Sequence, residues 1–315
     1  MAETGTESHT TLEASQLIRM LELNGPVPDL RSDTDNESLL TMYPELAAVS
    51  TRDIVVPTQN GGVPGRLYRA TGKVLAGFVW VHGGAFIAGD LNMPEAHWVS
   101  LHLASHGISV LSLEYRKALH GVKYPSPSDD VMAGWLWALS HCHDFGIETA
   151  EDLHLGGASA GAALSAALTV RLRDGAGSLP ASLLLAYPLL HAQLPLTSAE
   201  LAEKVQGIPA ELVFTPEFIR DINLNFAGSE ENFGDPHAFA GAGKLNGFPA
   251  VFIINSEADT LRASGEFFAR QLEDAGVTVR METEPGSTHG HLDHPHSAPA
   301  RKSVERMVHW LRGDR

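Results

Sequence analysis

Short apolar runs alternate with helical patterns along most of the chain after about residue 51. Several runs are apolar without clean alternation, which is typical of strands buried on both faces of a mainly parallel sheet. The predicted strands are 77–81, 108–113, 153–155, 182–186, 250–254 and 277–281. The helical patterns between them cover 129–140, 160–173, 264–275 and 300–311. This alternation predicts βαβ units and an α/β fold, with a mainly parallel central sheet flanked by helices.

Two segments do not follow this alternation. Residues 1–50 carry helical patterns at 11–23 and 37–49. Residues 191–230 contain three prolines and two plausible short helices, 198–205 and 216–225. A connection this long is usually functional or structured, so we expect a small helical cap, with a plain surface connection as the alternative. The predicted organisation is 1–50 N-terminal cap helices, 51–190 first part of the core, 191–230 cap insertion and 231–315 second part of the core.

Composition narrows the class of protein. The 315 residues carry a formal charge of −16, and an acidic surface repels phosphate groups, so binding to nucleic acid or a membrane surface is not expected. No apolar run approaches the roughly 18 residues of a transmembrane helix. The polar, acidic N-terminus does not resemble a secretory signal. Cys142 is the only cysteine, which excludes an intrachain disulfide. We therefore expect a cytoplasmic protein.

The segment Gly157-Ala158-Ser159-Ala160-Gly161 matches the G-x-S-x-G pattern of a nucleophile elbow. It lies between the predicted strand 153–155 and a helical pattern that begins at residue 160. In such an elbow the serine stands at a sharp strand-to-helix turn, and the flanking glycines remove Cβ atoms that would clash. A glycine-rich turn with an incidental serine is the alternative. The placement between strand and helix favours Ser159 as a nucleophile.

A second motif, His82-Gly83-Gly84-Ala85-Phe86, follows the predicted strand 77–81. Backbone amides on a loop with few side chains can bind the oxygen that becomes negative in a tetrahedral intermediate. We expect an oxyanion hole from the amides of Gly83, Gly84 and Ala160. Ala85 and Phe86 lie beside it and are expected to contact the substrate. A glycine turn after a strand would explain this motif if it stood alone.

A serine nucleophile in this kind of fold needs an acid after a later strand and a histidine after the last one. Asp259 follows the strand 250–254 and His289 follows the strand 277–281. His289 would take the serine proton, while Asp259 orients the imidazole. Glu257 on the acid loop and His291 on the histidine loop are the weaker alternatives, because Glu257 is nearer the strand end and His289 follows a proline-glycine turn.

Together these motifs resemble the hormone-sensitive-lipase-like esterases, a branch of the α/β hydrolases, over about residues 53–312. The segments that carry the resemblance are 82–86 for HGGG[FW], 157–162 for GDSAGG, 259–263 for D-P-L-x-D and 286–291 for G-x-x-H-G-F. The resemblance implies an α/β-hydrolase fold with a small helical cap over the site. It also implies a carboxylic ester hydrolase with an acyl-serine intermediate, acting on a small-molecule ester. It is compatible with a homodimer through an outer sheet edge.

Five positions depart from the family pattern. Ala85 replaces the third glycine, Ala158 replaces an aspartate beside the nucleophile, Leu119-His120 replaces a Pro-Glu pair, and His291 replaces an aromatic residue. None of them removes a member of the predicted triad. The chemistry is therefore expected to persist, while these departures weaken the specificity inferred from the family. A small cap that bounds the pocket favours a short acyl group over an open lipid-binding face.

Other functions remain open at this point. The same triad serves amidases, lactonases and lyases, and the scaffold can serve as a ligand-binding receptor when catalytic residues are lost. The presence of Ser159, Asp259 and His289 counts against a binding-only role. The segment 289–296 is rich in histidine, but Pro295 interrupts it and the triad uses His289. We expect surface histidines there, no metal site and no cofactor.

Overall fold

An eight-stranded sheet lies at the centre of the computed structural model, which describes residues 13–25, 35–58, 61–209 and 213–313. The strands are β1 Ser50–Thr58, β2 Gly61–Arg69, β3 Ala76–Val81, β4 Ile108–Leu113, β5 Leu153–Ala158, β6 Ser182–Ala186, β7 Ala250–Ala258 and β8 Val279–Thr288. Their order is β1-β2-β4-β3-β5-β6-β7-β8, with β1 and β2 antiparallel to their neighbours and all other pairs parallel. The predicted mainly parallel α/β fold is confirmed.

Helices cover both faces of this sheet. They are α1 Ala14–Asn24, α2 Asn36–Met42, α3 Pro94–Ser105, α4 Ser126–Ser140, α5 Cys142–Phe145, α6 Ala160–Arg171, α7 Ala199–Gln206, α8 Pro216–Ala227, α9 Arg262–Asp274 and α10 Ala298–Leu311. Within the described ranges, none of them is long and apolar enough to cross a membrane.

The core consists of two apolar layers, one on each face of the sheet. On β3, Val79 and Val81 pack into the layer covered by α4, α6 and α9, while Phe78 and Trp80 pack into the layer covered by α3 and α10. All four side chains are fully buried. Because successive residues of a strand point to opposite faces, a strand covered on both faces is apolar throughout. This explains why the central strands could be recognised as continuous apolar runs.

The structure differs from the sequence prediction at the sheet's outer strands. The antiparallel strands β1 and β2 were not predicted, because β1 is an edge strand with mostly exposed side chains and Pro57 and Pro64 interrupt the pattern. Strand β8 was predicted at 277–281 but runs from Val279 to Thr288, through the expected proline-glycine turn. It pairs with β7 as far as Ala258 opposite Thr288, with an irregularity before that pair.

The helices predicted outside the core form near their predicted positions, as α1, α2, α7 and α8. The pattern 11–23 corresponds to α1, although residues 11 and 12 lie outside the described part of the chain. The pattern 37–49 divides into α2 and a short 3₁₀ turn, Pro44–Ala48, because a residue before proline avoids helical geometry and proline lacks an amide hydrogen. Helices α7 and α8 form between β6 and β7, and α1 packs against α8.

Candidate active site

The predicted nucleophile stands at the junction of β5 and α6. Ser159 has φ 49° and ψ −116°, a conformation that is strained for any residue other than glycine. A Cβ atom on Gly157 would lie 2.5 Å from the carbonyl carbon of Gly161, and one on Gly161 would lie 2.1 Å from the carbonyl oxygen of Val81. Only glycine therefore permits the close approach of β3, β5 and α6 that produces the sharp turn.

Ser159, His289 and Asp259 form a continuous hydrogen-bonded row. Nε2 of His289 lies 2.9 Å from Oγ of Ser159, and Nδ1 lies 2.7 Å from Oδ2 of Asp259. The other carboxylate oxygen of Asp259 accepts the amide hydrogen of Leu261 at 2.9 Å. Since a carboxylate accepts hydrogen bonds, it places the proton of the neutral imidazole on Nδ1 and leaves the lone pair of Nε2 for the serine hydroxyl.

The pairing of β7 with β8 brings the acid and the histidine together. Ala258 lies opposite Thr288 at the carboxyl ends of these two strands. Asp259 and His289 are the next residues of each chain segment, so they leave the sheet side by side. The side chains of both are almost fully buried, with exposures of 1% for Asp259 and 7% for His289. Burial reduces competition from water and strengthens the bond between them.

The two weaker candidates have other partners. Glu257 accepts the amide hydrogen of Gly286 at 2.9 Å and lies 2.8 Å from Nζ of Lys204, away from the imidazole. His291 is buried, with Nδ1 2.9 Å from Oγ of Ser256 and Nε2 2.8 Å from Oγ of Ser303. Burial lowers the pKa of His291 to about 3. The expectation of surface histidines here is wrong for His291.

The loop after β3 does not present all of its amides as predicted. The amide hydrogen of Gly83 is donated to Oε2 of the buried Glu95 at 2.8 Å, so the prediction that Gly83 contributes to an oxyanion hole is wrong. Gly84 and Ala85 are partly exposed and have positive φ values of 115° and 54°. Among the described residues, the amides of Gly84, Ala85 and Ala160 have no hydrogen-bond partner.

The carbonyl oxygen of Gly83 has two side-chain partners, His82 and Tyr115. Nδ1 of His82 lies 2.6 Å from it, and the hydroxyl of Tyr115 donates to it at 3.1 Å. Nε2 of His82 lies 3.0 Å from Glu114, which also pairs with Lys117. Burial opposes ionisation of Glu114, but His82 and Lys117 together lower its pKa to about 2. Burial and the nearby charge of Lys117 lower the pKa of His82.

Phe86 has a different role from the predicted one. Its side chain is fully buried and stacks on Phe226 of α8, with ring centroids 4.2 Å apart and an interplanar angle of 14°. A ring without exposed surface cannot contact a substrate in this conformation, so the prediction of substrate binding by Phe86 is wrong. The ring instead joins the loop after β3 to helix α8. Ala85 is partly exposed, so its predicted contact with the substrate stays a prediction.

Two aromatic rings that sequence reasoning missed pack against His289. Tyr187 and Phe214 both approach the imidazole edge-on, with centroids 5.0 Å and 4.9 Å away. Tyr187 is buried, whereas Phe214 is partly exposed and its carbonyl oxygen accepts the hydroxyl hydrogen of Thr260 at 2.8 Å. The only signal for Phe214 was an aromatic residue in the predicted cap insertion. Across the ranges that the structure describes, no group of three or more His, Cys, Asp or Glu side chains could hold a metal ion.

The model of the alpha/beta hydrolase fold family matches residues 78–293, which include the loop after β3, the elbow and the histidine loop. This chain belongs to the α/β-hydrolase fold family. The sheet order and the strand-to-helix position of Ser159 are the structural features that this membership leads one to expect.

Individual relatives of this α/β hydrolase are esterases. An ethyl acetate hydrolase from Pseudomonas putida is 30% identical over 247 residues, which cover 75% of this chain and 74% of that protein. The structure of esterase LipW from Mycobacterium marinum is 27% identical, with a TM-score of 0.74 over 90% of this chain and 92% of that chain. An esterase from the bacterial hormone-sensitive lipase family shares the fold, with a TM-score of 0.71 at 24% identity over 99% of both chains. The predicted resemblance is confirmed at the level of the α/β-hydrolase fold family and of relatives that are esterases.

Proposed function

We propose that this α/β hydrolase cleaves carboxylic esters, with Ser159 as nucleophile, His289 as general base and acid, and Asp259 as the group that orients the imidazole. The observation that carries the proposal is the row of hydrogen bonds from Ser159 through His289 to Asp259, at 2.9 Å and 2.7 Å. The position of the serine at a strained strand-to-helix turn supports the same role, because backbone strain of this kind is concentrated at functional sites.

In the first half of the reaction, Oγ of Ser159 forms a bond to the ester carbonyl carbon while Nε2 of His289 takes its proton. The carbonyl π electrons move to oxygen, which gives a tetrahedral oxyanion. When this intermediate collapses, the bond to the alcohol oxygen breaks and His289 returns the proton to that oxygen. Asp259 stays ionised and stabilises the imidazolium through Nδ1.

The second half reverses these roles with water. His289 takes a proton from water, whose oxygen attacks the acyl carbon, and the resulting intermediate releases the carboxylic acid as Oγ of Ser159 recovers the proton. The amides of Gly84, Ala85 and Ala160 are proposed to bind the oxyanion in both halves of the reaction. Ala85 takes the place of Gly83 in this set because the Gly83 amide is bound to Glu95. Removing one such donor typically costs about 100- to 1,000-fold in rate. No metal or cofactor is needed for these steps.

We propose that α1 of the N-terminal segment, with α7 and α8 of the insertion, forms the cap over this site, and that the substrate has a short acyl group. The rest of the predicted N-terminal cap, including α2, packs with α3 and α10, because Leu39 belongs to the apolar layer of those helices. The Phe214 ring in the segment between α7 and α8 packs on His289, which supports a position of the cap next to the reacting atoms. Salt bridges from Lys204 to Glu257 and from Arg262 to Glu200 join α7 to the end of β7 and the start of α9. The name of the Pseudomonas putida relative refers to an ester of a two-carbon acid, which fits the short-acyl proposal.

The test is initial-rate hydrolysis of aryl esters with two- to four-carbon acyl groups by the wild-type protein and Ser159→Ala. The variant is expected to lose several orders of magnitude in kcat, roughly 10³- to 10⁶-fold. Ser165→Ala is the matched control, because Ser165 is a buried serine of α6, the helix that follows Ser159, and its hydroxyl donates to the Gly156 carbonyl. It should retain activity.

Each outcome has a separate meaning. Activity in the wild type and in Ser165→Ala, with none in Ser159→Ala, identifies the nucleophile. Equal activity in all three proteins would show that Ser159 is not the nucleophile. If no protein hydrolyses any ester of the series, ester hydrolysis on short acyl groups is rejected and a ligand-binding receptor on this scaffold becomes the better hypothesis.

A further inference from the structure

Glu95 is a buried acid that touches the loop after β3 without being part of the row of Ser159, His289 and Asp259. Its side chain is only 1% exposed, and Oε2 accepts the amide hydrogen of Gly83 at 2.8 Å. A Cβ atom on residue 83 would lie 2.9 Å from the same oxygen and 3.4 Å from Cβ of Ser159. The glycine therefore lets the carboxylate approach closely from one side and the nucleophile from the other.

The hydrogen bond that Glu95 accepts from the Gly83 amide controls the orientation of two successive peptide planes, His82-Gly83 and Gly83-Gly84. These planes lead to the proposed oxyanion amides. A trans peptide is planar, with its carbonyl and amide hydrogen on opposite sides. Glu95 accepts the amide hydrogen of the peptide plane between His82 and Gly83. The carbonyl of that plane lies 3.3 Å from the Tyr115 hydroxyl, whose one hydrogen is shared between this carbonyl and that of Gly83. The next plane is held by its carbonyl, Gly83 O, through His82 and Tyr115. The amide hydrogen of Gly84 must then point away from those two side chains.

Helix α3 connects this loop to the loop that carries His289. Glu95 is the second residue of α3, and its own amide hydrogen is donated to Oδ1 of Asp293 at 3.2 Å. Asp293 is 4% exposed and ends the 3₁₀ turn His291–Asp293, which follows His289 after one glycine. Negative charge is favoured at the amino end of a helix, so both carboxylates are stabilised where they lie. The Trp80 indole donates to the Glu95 carbonyl at 3.0 Å and fixes α3 to β3.

We propose that Glu95 is a positioning residue for catalysis: through Gly83 it aims the amides of Gly84 and Ala85 at the oxyanion, and Asp293 sets its place relative to His289. This role rests on the proposed ester hydrolysis. It assigns to Glu95 no contact with the substrate. Substitution of Glu95 should therefore weaken stabilisation of the transition state and leave the affinity for the ground-state ester almost unchanged.

Two substitutions separate the reach of the Glu95 side chain from its charge. Glu95→Gln keeps an oxygen acceptor at the same distance from the backbone but removes the charge, whereas Glu95→Asp keeps the charge and withdraws the acceptor. Ser100→Ala is the control for the helix, because Ser100 is buried in α3 and its hydroxyl donates to the Ala96 carbonyl within that helix. Each protein is assayed for kcat, KM and inhibition by an aryl trifluoromethyl ketone, whose serine adduct carries an oxyanion.

The Asp variant is expected to lose about 10- to 100-fold in kcat, less than the full loss of an oxyanion donor, with a parallel loss in affinity for the ketone and little change in KM. The Gln variant should stay within about threefold of wild type, because its amide oxygen can accept the same hydrogen bond. Asp293→Ala should shift kcat in the same direction as Glu95→Asp. Thermal unfolding of every variant identifies losses that come from incomplete folding.

The proposal is overturned if Glu95→Asp matches Ser100→Ala in kcat and ketone affinity, if the loss lies only in KM, or if Glu95→Gln is as impaired as Glu95→Asp. An unaffected Asp293→Ala would overturn the anchoring role of Asp293 alone. Wild-type activity distinguishes these results from a failure of the proposed function. A wild type that hydrolyses no ester rejects both proposals, whereas an active wild type with unaffected variants rejects only the positioning role.

Discussion

At the scale of single residues, the site separates two acids that are close in sequence. Asp259 binds Nδ1 of His289, while Glu257 binds the Gly286 amide and Lys204. Glu257 is also partly exposed, whereas Asp259 is buried. Sequence alone could rank these acids but could not separate them, because both follow the predicted strand 250–254, whereas in the structure Glu257 lies within β7 and Asp259 directly after it. Their different partners make an experiment decisive.

Asp259→Asn is expected to lower kcat by about 10³- to 10⁴-fold, because an amide nitrogen facing Nδ1 favours the wrong imidazole tautomer. Glu257→Gln is the matched control and should change kcat by less than about threefold, since it loses only a partly exposed ion pair. The measurement is kcat on a short-chain aryl ester, with circular dichroism to verify folding. A larger loss in Glu257→Gln than in Asp259→Asn would reverse the assignment of the acid.

The motif residues could be predicted because each follows a recognisable strand. Ser159 was predicted from the G-x-S-x-G motif after an apolar strand, and Asp259 and His289 from their order after later apolar strands; the structure brings all three together. Gly83 and Phe86 were misjudged for a shared physical reason. The partner of Gly83 is Glu95 on α3, and the partner of Phe86 is Phe226 on α8, 140 positions further along the chain. Contacts of this kind depend on tertiary packing, which one sequence does not display.

At the scale of elements, the same limit explains which strands could be found. The buried strands β3 to β7 are apolar on both faces, so their positions follow from composition. The hairpin of β1 and β2 has no such pattern because β1 exposes most of its side chains. The dipeptide Asn60-Gly61, a strong turn signal between two strands, was the feature that could have revealed it.

Helix α8 is held to the core through Phe226, which is fully buried against Phe86 and contacts Phe239 and Tyr124 edge-on. Phe226→Ala is expected to lower the free energy of unfolding by about 3 to 5 kcal/mol, the usual cost of an aromatic side chain removed from a packed core. Phe267→Ala on α9 is the control, because Phe267 is 39% exposed, and it should cost about 1 kcal/mol or less. Urea unfolding measures both, and equal losses would contradict this account of α8.

At the scale of the whole molecule, buried histidines make the folded state sensitive to acid. Burial lowers the pKa of His82, of His191, and of His97 and His102 to about 4, and that of His291 to about 3. In the unfolded chain these rings titrate near pH 6.5. Below that pH the unfolded state binds more protons than the folded state, so the free energy of unfolding falls as the pH falls.

His291→Gln should reduce the fall in the free energy of unfolding at low pH. Between pH 8 and pH 5 the wild-type ring binds a proton only when the chain unfolds, which costs about 2 kcal/mol of stability for a pKa near 3 in the folded state. Urea unfolding at both pH values should show that the variant loses about 2 kcal/mol less than wild type over this interval. His143→Gln, at a ring that is 77% exposed, should behave as wild type. The same pH loss in wild type and His291→Gln would contradict the role of His291.

Several predictions about the whole molecule have different outcomes. The α/β-hydrolase fold and the relationship to esterases are confirmed by the sheet and by the comparisons. The cytoplasmic location and the homodimer stay predictions, because a single chain without partners displays neither. Substrate choice likewise depends on how the proposed cap segments pack over Ser159, and short apolar patterns carry little information about such packing.

The backbone of Ser159 has a consequence for anyone who would engineer this protein. A non-glycine residue at φ 49° and ψ −116° holds about 1 to 3 kcal/mol of strain, which glycine at the same position would release. A library sorted only by survival after heating would thus be drawn towards replacements that abolish turnover. Replacement of Ser159 can therefore raise thermal stability while it removes activity, so a screen for stable variants must also measure product formation in every round.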